Sequence, residues 1–266
     1  MLDSSSPIRL ETAGPVATLT LARPASRNAL SMATLAALRS ALAGLADDAR
    51  IRAIVVTHEG PAFSAGHDLK EITARRADAD GGRGFFEALM AACAQVMTMI
   101  VRAPQPVIAA VEGVATAAGC QLVASCDLAI AGEEASFATP GVHIGLFCST
   151  PMVALSRNLS RKHAMEMLLT GEAIDAETAA RLGLVNRVVE AGAALEAAQE
   201  LARRIAEKSG ATVEIGKRAF YEQAEMTLDQ AYAHASRVMV QNMLAADAQE
   251  GICAFIEKRP PTWAQE

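Results

Sequence analysis

Between residues 8 and 24 the chain reads "IRLETAGPVATLTLARP", two short apolar alternations around turn residues, which predicts a β-hairpin. Ser31 then opens a stretch in which Leu35, Leu38, Leu42 and Leu45 recur at helical spacing, so a helix capped by Ser31 is expected. "IRAIVVTHEG" is apolar almost without a break, as a strand buried on both faces would be. "FSAGHDLKEI" follows as a tight turn into a helix, with Asp68 and Glu71 spaced like a capping box. The polar, Gly-rich "ADADGGRG" reads as a mobile loop before a long amphipathic helix, "FFEALMAACAQVMTMIVRA", which the prolines of "APQP" end.

"PVIAAVEG" predicts another buried strand, "VATAAG" a turn into the helix that carries Gln121, and "DLAIAGEEASFATP" one further strand. Strand and helix in alternation imply parallel pairing with right-handed crossovers, an α/β fold. From "GLFCSTPMVALSRNLS" onward the pattern is almost wholly helical, with no internal repeat and no low-complexity linker. The chain therefore divides into a core over residues 1–200 and an appended helical segment over 201–266.

Composition narrows the class. Hydrophobic residues are 52% of the 266 and aromatics 4%, so the core is built of aliphatic and Ala side chains rather than disordered. A net charge of −6 without a dominant Lys/Arg cluster argues against nucleic acid as a partner. Five scattered cysteines without metal-ligand spacing point to reduced, buried thiols. "MLDSSSPIRL" has neither an apolar core nor an Arg-rich amphipathic pattern, and no uninterrupted apolar run matches a bilayer's thickness. A soluble, cytoplasmic protein is the expectation.

The candidate chemistry lies at two strand-to-helix turns made of small residues, "SAGHD" and "ATAAG". Strand ends of a parallel sheet open into a ligand crevice, and small side chains let a ligand approach the backbone. Unpaired amides at helix N-termini attract negative charge, and two aimed at one point form an oxyanion hole. Plain close packing of turns accounts for the same spacing. Gln121, a lone amide opening an apolar run, needs partners if buried.

In order along the chain, "RPASRNALS", "FSAGHDLKE", "AAGCQLVASCDLAIA", "ASFATPGVHIGL", "MLLTGEAIDAETAARLGLVNRVV" and "GICAFIEKRP" resemble the enoyl-CoA hydratase/isomerase family, the crotonases, from about residue 8 to 260. The resemblance implies a crotonase-like spiral of ββα units with a C-terminal helical trimerisation region. It also implies homotrimers or dimers of trimers, an acyl-CoA or enoyl-CoA thioester as ligand, no covalently bound cofactor, no metal and no membrane partner. By the same resemblance the backbone amides of His67 and Ala118 hold the thioester oxygen. Arg27, Ala29, Leu30, Ala65, Gly66, Asp68 and Leu69 would line the CoA groove, with Phe255 and Lys258 adding contacts from the C-terminal helices.

The departure is at the acids. The two glutamates that hydratases of the family bring to one water align with Gln121 and Gly141. Neither takes a proton near neutral pH, so ordinary hydration is doubtful, and installing Glu at both positions should create it. Along the wall "GVHIGLFCSTP", Ser149 stands where some branches place an acid or nucleophile, though a helix cap before Pro151 is the competing role. His143 and Cys148 in that wall, Cys120, and Glu112 in "AAVEGV" read as structural, and the His67 imidazole as turned to solvent.

Overall fold

The computed structural model describes residues 6–264, so the first five residues of the opening stretch read for a targeting pattern lie outside it. β1 (Ile8–Ala13) and β2 (Val16–Leu21) form the expected antiparallel hairpin, with Gly14 at φ 58° in its turn. α1 (Met32–Ala46) starts at Ser31, whose hydroxyl accepts from the Thr34 amide, and buries Leu35, Leu38, Leu42 and Leu45. β3 (Ala53–His58) is buried at every position but its last and is followed by β4 (Ala62–Ser64). α2 (Leu69–Arg75) begins at Asp68, which accepts from the amides of Lys70 and Glu71. The reciprocal half of the capping box is absent, because Glu71 instead accepts from the Met32 amide and so caps α1.

α3 (Arg83–Arg102) is 20 residues long and, by length and composition alone, apolar enough to cross a bilayer, although Glu87 and Gln95 interrupt its apolar run. It is a core helix here: Leu89, Cys93, Val96, Met97 and Ile100 are buried and it packs on α1. The Gly-rich loop before it is a built turn. Asp80 accepts from the amides of Gly82 and Gly84, and Arg75 and Arg76 lie over the rings of Phe85 and Phe86.

β5 (Val107–Val111), β6 (Val114–Thr116), α4 (Ala118–Ser125), β7 (Leu128–Gly132) and β8 (Ser136–Ala138) continue the winding. "DLAIAGEEASFATP" thus contains two strands rather than one. A 3₁₀ turn over Pro140–Ile144 leads to α5 (Pro151–Asn158), α6 (Arg161–Thr170), β9 (Ile174–Asp175), α7 (Ala176–Leu182), β10 (Arg187–Val189) and α8 (Ala194–Ala206). α9 (Gly210–Gln223), α10 (Leu228–Met243) and α11 (Ala246–Glu257) complete the chain.

The strands form two sheets, one ordered β1-β2-β3-β5-β7-β10 and one ordered β4-β6-β8-β9. Each turn of the spiral gives one strand to each sheet and then a helix: β3-β4-α2, β5-β6-α4, β7-β8-α5. Within a sheet these successive strands are parallel, as alternation required. The second sheet escapes a reading of periodicity because two- or three-residue strands are too short to show a period of two. One face of the large sheet packs on α1, α3 and α4, the other on the small side chains Ala194, Ala198 and Ala202 of α8. Position 200 falls within α8.

α9 is docked by a buried ion pair: Lys217 Nζ donates to Asp127 Oδ2 at 2.7 Å and to the carbonyls of Ile100 and Gln105. Tyr221 donates to the other oxygen of Asp127 at 2.9 Å. All three ammonium donors are thereby used, the condition under which a buried charge is tolerated. On α10 and α11, by contrast, Leu228, Tyr232, Met243 and Phe255 are exposed on the single chain.

Candidate functional site

Backbone assembles the site before any side chain does. Arg27 and Asn28, both at positive φ, turn the chain so that the Arg27 carbonyl accepts from Ala65 and the Leu30 amide donates to Gly66. The buried Asn28 side chain fixes that turn, donating to the carbonyls of Glu59 and Ala62 and accepting from the Arg23 amide. Ser64 donates to the Asn28 carbonyl and accepts from the Gly66 amide. The segment 27–30 is thereby laced to 64–66, which brings the backbone of Arg27 and Leu30 against that of Ala65 and Gly66.

The second turn lies directly against the first. Ala117, which precedes α4, sits at φ 50°, ψ −118°, a conformation that costs a non-glycine residue about 1–3 kcal/mol. Gly66, at φ 84°, faces it so closely that a Cβ there would come 2.9 Å from Ala117 Cβ and 3.2 Å from the Ala118 amide nitrogen. Gly119 permits an equally close approach of α4 to the Ser64 carbonyl. Neither the His67 amide nor the Ala118 amide has a hydrogen-bond acceptor among the described residues. The two unpaired donors therefore stand on adjoining turns, with the strained Ala117 aiming one of them.

The side chains divide by role. The His67 imidazole does not point to solvent as expected; Nδ1 bonds the Leu30 carbonyl at 3.1 Å and Nε2 is buried without a partner. Burial holds its pKa below the ordinary histidine value. Asp68 is the cap of α2. Arg27 and Ala65 are exposed, Ala29 is buried, and Leu69 is half exposed, whereas the Leu30 side chain is sealed in the core. Phe255 and Lys258 stand at the end of α11, which packs on α9 and α10.

At the positions expected for the acids, Gln121 is 4% exposed, and the one side-chain bond it makes among the described residues is from the Cys93 thiol to Oε1, 3.9 Å. Gly141 is closed over: a Cβ there would meet the Leu146 carbonyl oxygen at 2.7 Å and Cys148 Sγ at 2.9 Å. Burial pushes the Cys93 thiol up to about 11 and Cys120 up to about 12, so both stay protonated and poorly nucleophilic near neutral pH. Ser149 neither caps α5 nor enters this cluster; its hydroxyl donates to the Phe147 carbonyl, and Thr150 occupies the cap position. His143 bonds the Thr170 carbonyl at 2.8 Å. Glu112 accepts from the Ala194 amide, closing the N-terminus of α8. The contact of Cys93 with Gln121 is what sequence reasoning missed, since the helical register of Cys93 says only that it faces inward.

The chain matches the family model described as enoyl-CoA hydratase/isomerase over residues 11–266. It is 48% identical over 246 residues to the enoyl-CoA hydratase domain-containing protein 3, mitochondrial, of Rattus norvegicus, covering 92% of this chain and 80% of that one. The crystal structure of an enoyl-CoA hydratase of Mycobacterium smegmatis superposes with a TM-score of 0.91 at 50% identity, covering 97% of this chain and 98% of that one. The human enoyl-CoA hydratase domain-containing protein 3 superposes with a TM-score of 0.92 at 46% identity, covering 97% and 100%. The relatives from rat, human and mouse are named mitochondrial, which overturns the cytoplasmic expectation. Reduced, buried thiols suit more than one compartment, so cysteine usage had not selected the cytoplasm. With the spiral of paired sheets, the adjoining turns and these matches in agreement, the chain belongs to the enoyl-CoA hydratase/isomerase family.

Proposed function

We propose that this protein binds an acyl-CoA or enoyl-CoA thioester with the carbonyl oxygen between the His67 and Ala118 amides, and that ordinary water addition is not its efficient reaction. The observation that carries the reading is the contact of the two turns at Gly66 and Ala117, which leaves two free amides side by side. Such a pair stabilises charge that develops on the oxygen of a thioester enolate, and loss of one donor costs a catalysed step about 3 kcal/mol. The proton-handling half is missing, since Gln121 does not ionise near neutral pH and Gly141 offers only backbone. General acid–base catalysis supplies roughly 10²–10⁴-fold, so hydration here is slow. The site suits steps that need a polarised thioester more than a strong base, such as isomerisation, decarboxylation or thioester hydrolysis.

The groove in this reading runs over Arg27, Ala29, Leu30 and Ala65 to Leu69, with coenzyme A as part of the substrate and neither metal nor covalent cofactor taking part. The exposed apolar side chains of α10 and α11 support a homotrimer or a dimer of trimers, with Phe255 and Lys258 at that arm. Closure of Gly141 favours a second reading, an acyl-CoA binder without turnover. Incubation with saturated and unsaturated acyl-CoAs in D2O, followed by mass spectrometry, separates the two. Gain of water, loss of the acyl group or α-deuteration above a protein-free control is the expected outcome. Binding without any mass change selects the second reading, and absence of binding overturns both.

A further inference from the structure

We infer that the cavity between the end of α1, the loop 104–106 and the start of α9 is a binding site for free hydrogen phosphate. Arg52 and the first amides of α9 hold the charge, and Gln105 accepts the proton that remains on the ion. The site goes beyond the thioester reading and does not depend on it. Arg52 and Pro106 stand just before the first residues of β3 and β5, whereas the turns at Gly66 and Ala117 follow the far ends of β4 and β6. The cavity measures about 190 Å³, below the roughly 300–1,000 Å³ of pockets for drug-sized ligands, and suits a single small ion.

Two side chains that line the cavity each keep one buried polar atom without a partner among the described residues: Arg52 Nε, a donor, and Gln105 Oε1, an acceptor. Gln105 is 6% exposed, and its Nε2 is spent on the Leu45 carbonyl at 2.7 Å, so its oxygen is the free end. Its own carbonyl accepts from the Lys217 ammonium, which fixes its main chain. Arg52 donates through Nη2 to the Lys208 carbonyl at 2.9 Å, and its guanidinium lies on Gly210, where a Cβ would come 2.4 Å from Cζ. The bare position thus brings the cation against the N-terminus of α9, a helix of 14 residues. Gly210 and Ala211, its first two residues, also line the cavity, and their amides have no acceptor among the described residues. Guanidinium and helix N-terminus together favour an anion. Asp47 and Glu214 line the cavity as well, but both are exposed, and Glu214 pairs with Arg218 at 3.6 Å.

The acceptor then selects among anions, because a buried oxygen acceptor needs a donor. Sulfate carries no proton near neutral pH, and a phosphate monoester loses its last one at about pH 6. Inorganic phosphate keeps an O–H throughout the neutral range. It alone of the three offers negative charge to Arg52 and a proton to Gln105 at once.

Isothermal titration of the whole protein at about pH 8 with inorganic phosphate, sulfate and glycerol 2-phosphate is the test. The expected result is binding of phosphate about tenfold or more tighter than of either other anion. Arg52→Met is expected to weaken phosphate binding by about tenfold. Gly210→Ala, whose methyl displaces the flexible guanidinium rather than main chain, is expected to weaken it severalfold. Gln105→Met is expected to bring phosphate down to the level of sulfate. Sulfate or monoester binding as tight as phosphate overturns the inference. So does a phosphate affinity that Arg52→Met leaves unchanged, which would place the ion elsewhere on the chain. Absence of phosphate binding overturns it too and leaves the cavity to solvent. None of these outcomes bears on thioester binding, and the wild-type comparison of three anions decides the matter where a variant does not fold.

Discussion

The two walls of the site are built by opposite means. On one side, the turns at Gly66 and Ala117 spend conformational strain and close backbone contact to bring two amides together, and no side chain is needed. On the other, the positions expected for the proton-handling groups hold an amide and a glycine, and the main chain at Leu146 fills the space that a longer side chain at 141 would take. Carbonyl recognition written in backbone, as proposed here, would survive a change of side chains, because each residue but proline carries an N–H whatever its identity. Proton transfer written in side chains is lost with one substitution. In the proposed reading, the family's fold and water addition are therefore separable within one site.

Four experiments test that contrast, and the largest effect is expected far from either wall. Lys217→Met leaves the Asp127 carboxylate buried without its cation and should lower stability by about 3–5 kcal/mol in denaturant unfolding. Thioester affinity, measured while the variant remains folded, should fall by less than it does when the turns themselves are altered. The next largest is Gly66→Ala, whose added Cβ lands against Ala117 and the Thr116 carbonyl at positive φ. Loss of one amide contact there should weaken acyl-CoA binding by about tenfold. Gly14→Ala is the control, with positive φ and nothing within 4 Å, so it should lower stability slightly and leave binding intact.

Restoring the acids attacks the other wall. Gln121→Glu alone should raise crotonyl-CoA hydration by about tenfold or more, a modest part of what a positioned base supplies. Adding Gly141→Glu should cost about 1–3 kcal/mol of stability, because the Leu146 carbonyl must move, and should not yield the full gain that the sequence suggested. No hydration in a Gln121→Glu variant that still binds CoA thioesters would mean that the carbonyl does not lie beside this residue.

The smallest effect is on pH dependence. Burial holds His58 and His67 below the ordinary imidazole value, so the unfolded chain takes up protons first as pH falls. Their contribution to stability is intact above about pH 6.5 and is lost progressively below it. The melting temperature should drop by a few degrees between about pH 7 and 5.5, and His58→Gln should flatten part of that drop without touching thioester affinity. An unchanged slope would assign the loss to other groups.

Much of this was legible in the chain, and the reasons are physical. The leucine period of α1 and the unbroken apolar run of β3 are long enough to declare their partners. The second sheet is not, because its strands are two or three residues long and owe their pairing to the spiral that brings them together. The two small-residue turns could be located from "SAGHD" and "ATAAG", but the strain at Ala117 and the inward His67 ring follow from what packs around them. Glu71 was read as serving its own helix, yet it bonds Met32, 39 positions earlier. Cys93 and Gln121 are 28 residues apart on different helices, and no local pattern announces that they touch.

α4 has eight residues and is about 12 Å long. Its first amide is one of the two donors proposed to grip the carbonyl, and two residues past its last turn comes Asp127, to which the terminal arm is bolted through Lys217 and Tyr221. The helix is thus a short rod with a reading head at one end and a mooring at the other. Whatever fixes the arm, a neighbouring copy included, also sets the level at which that head rests.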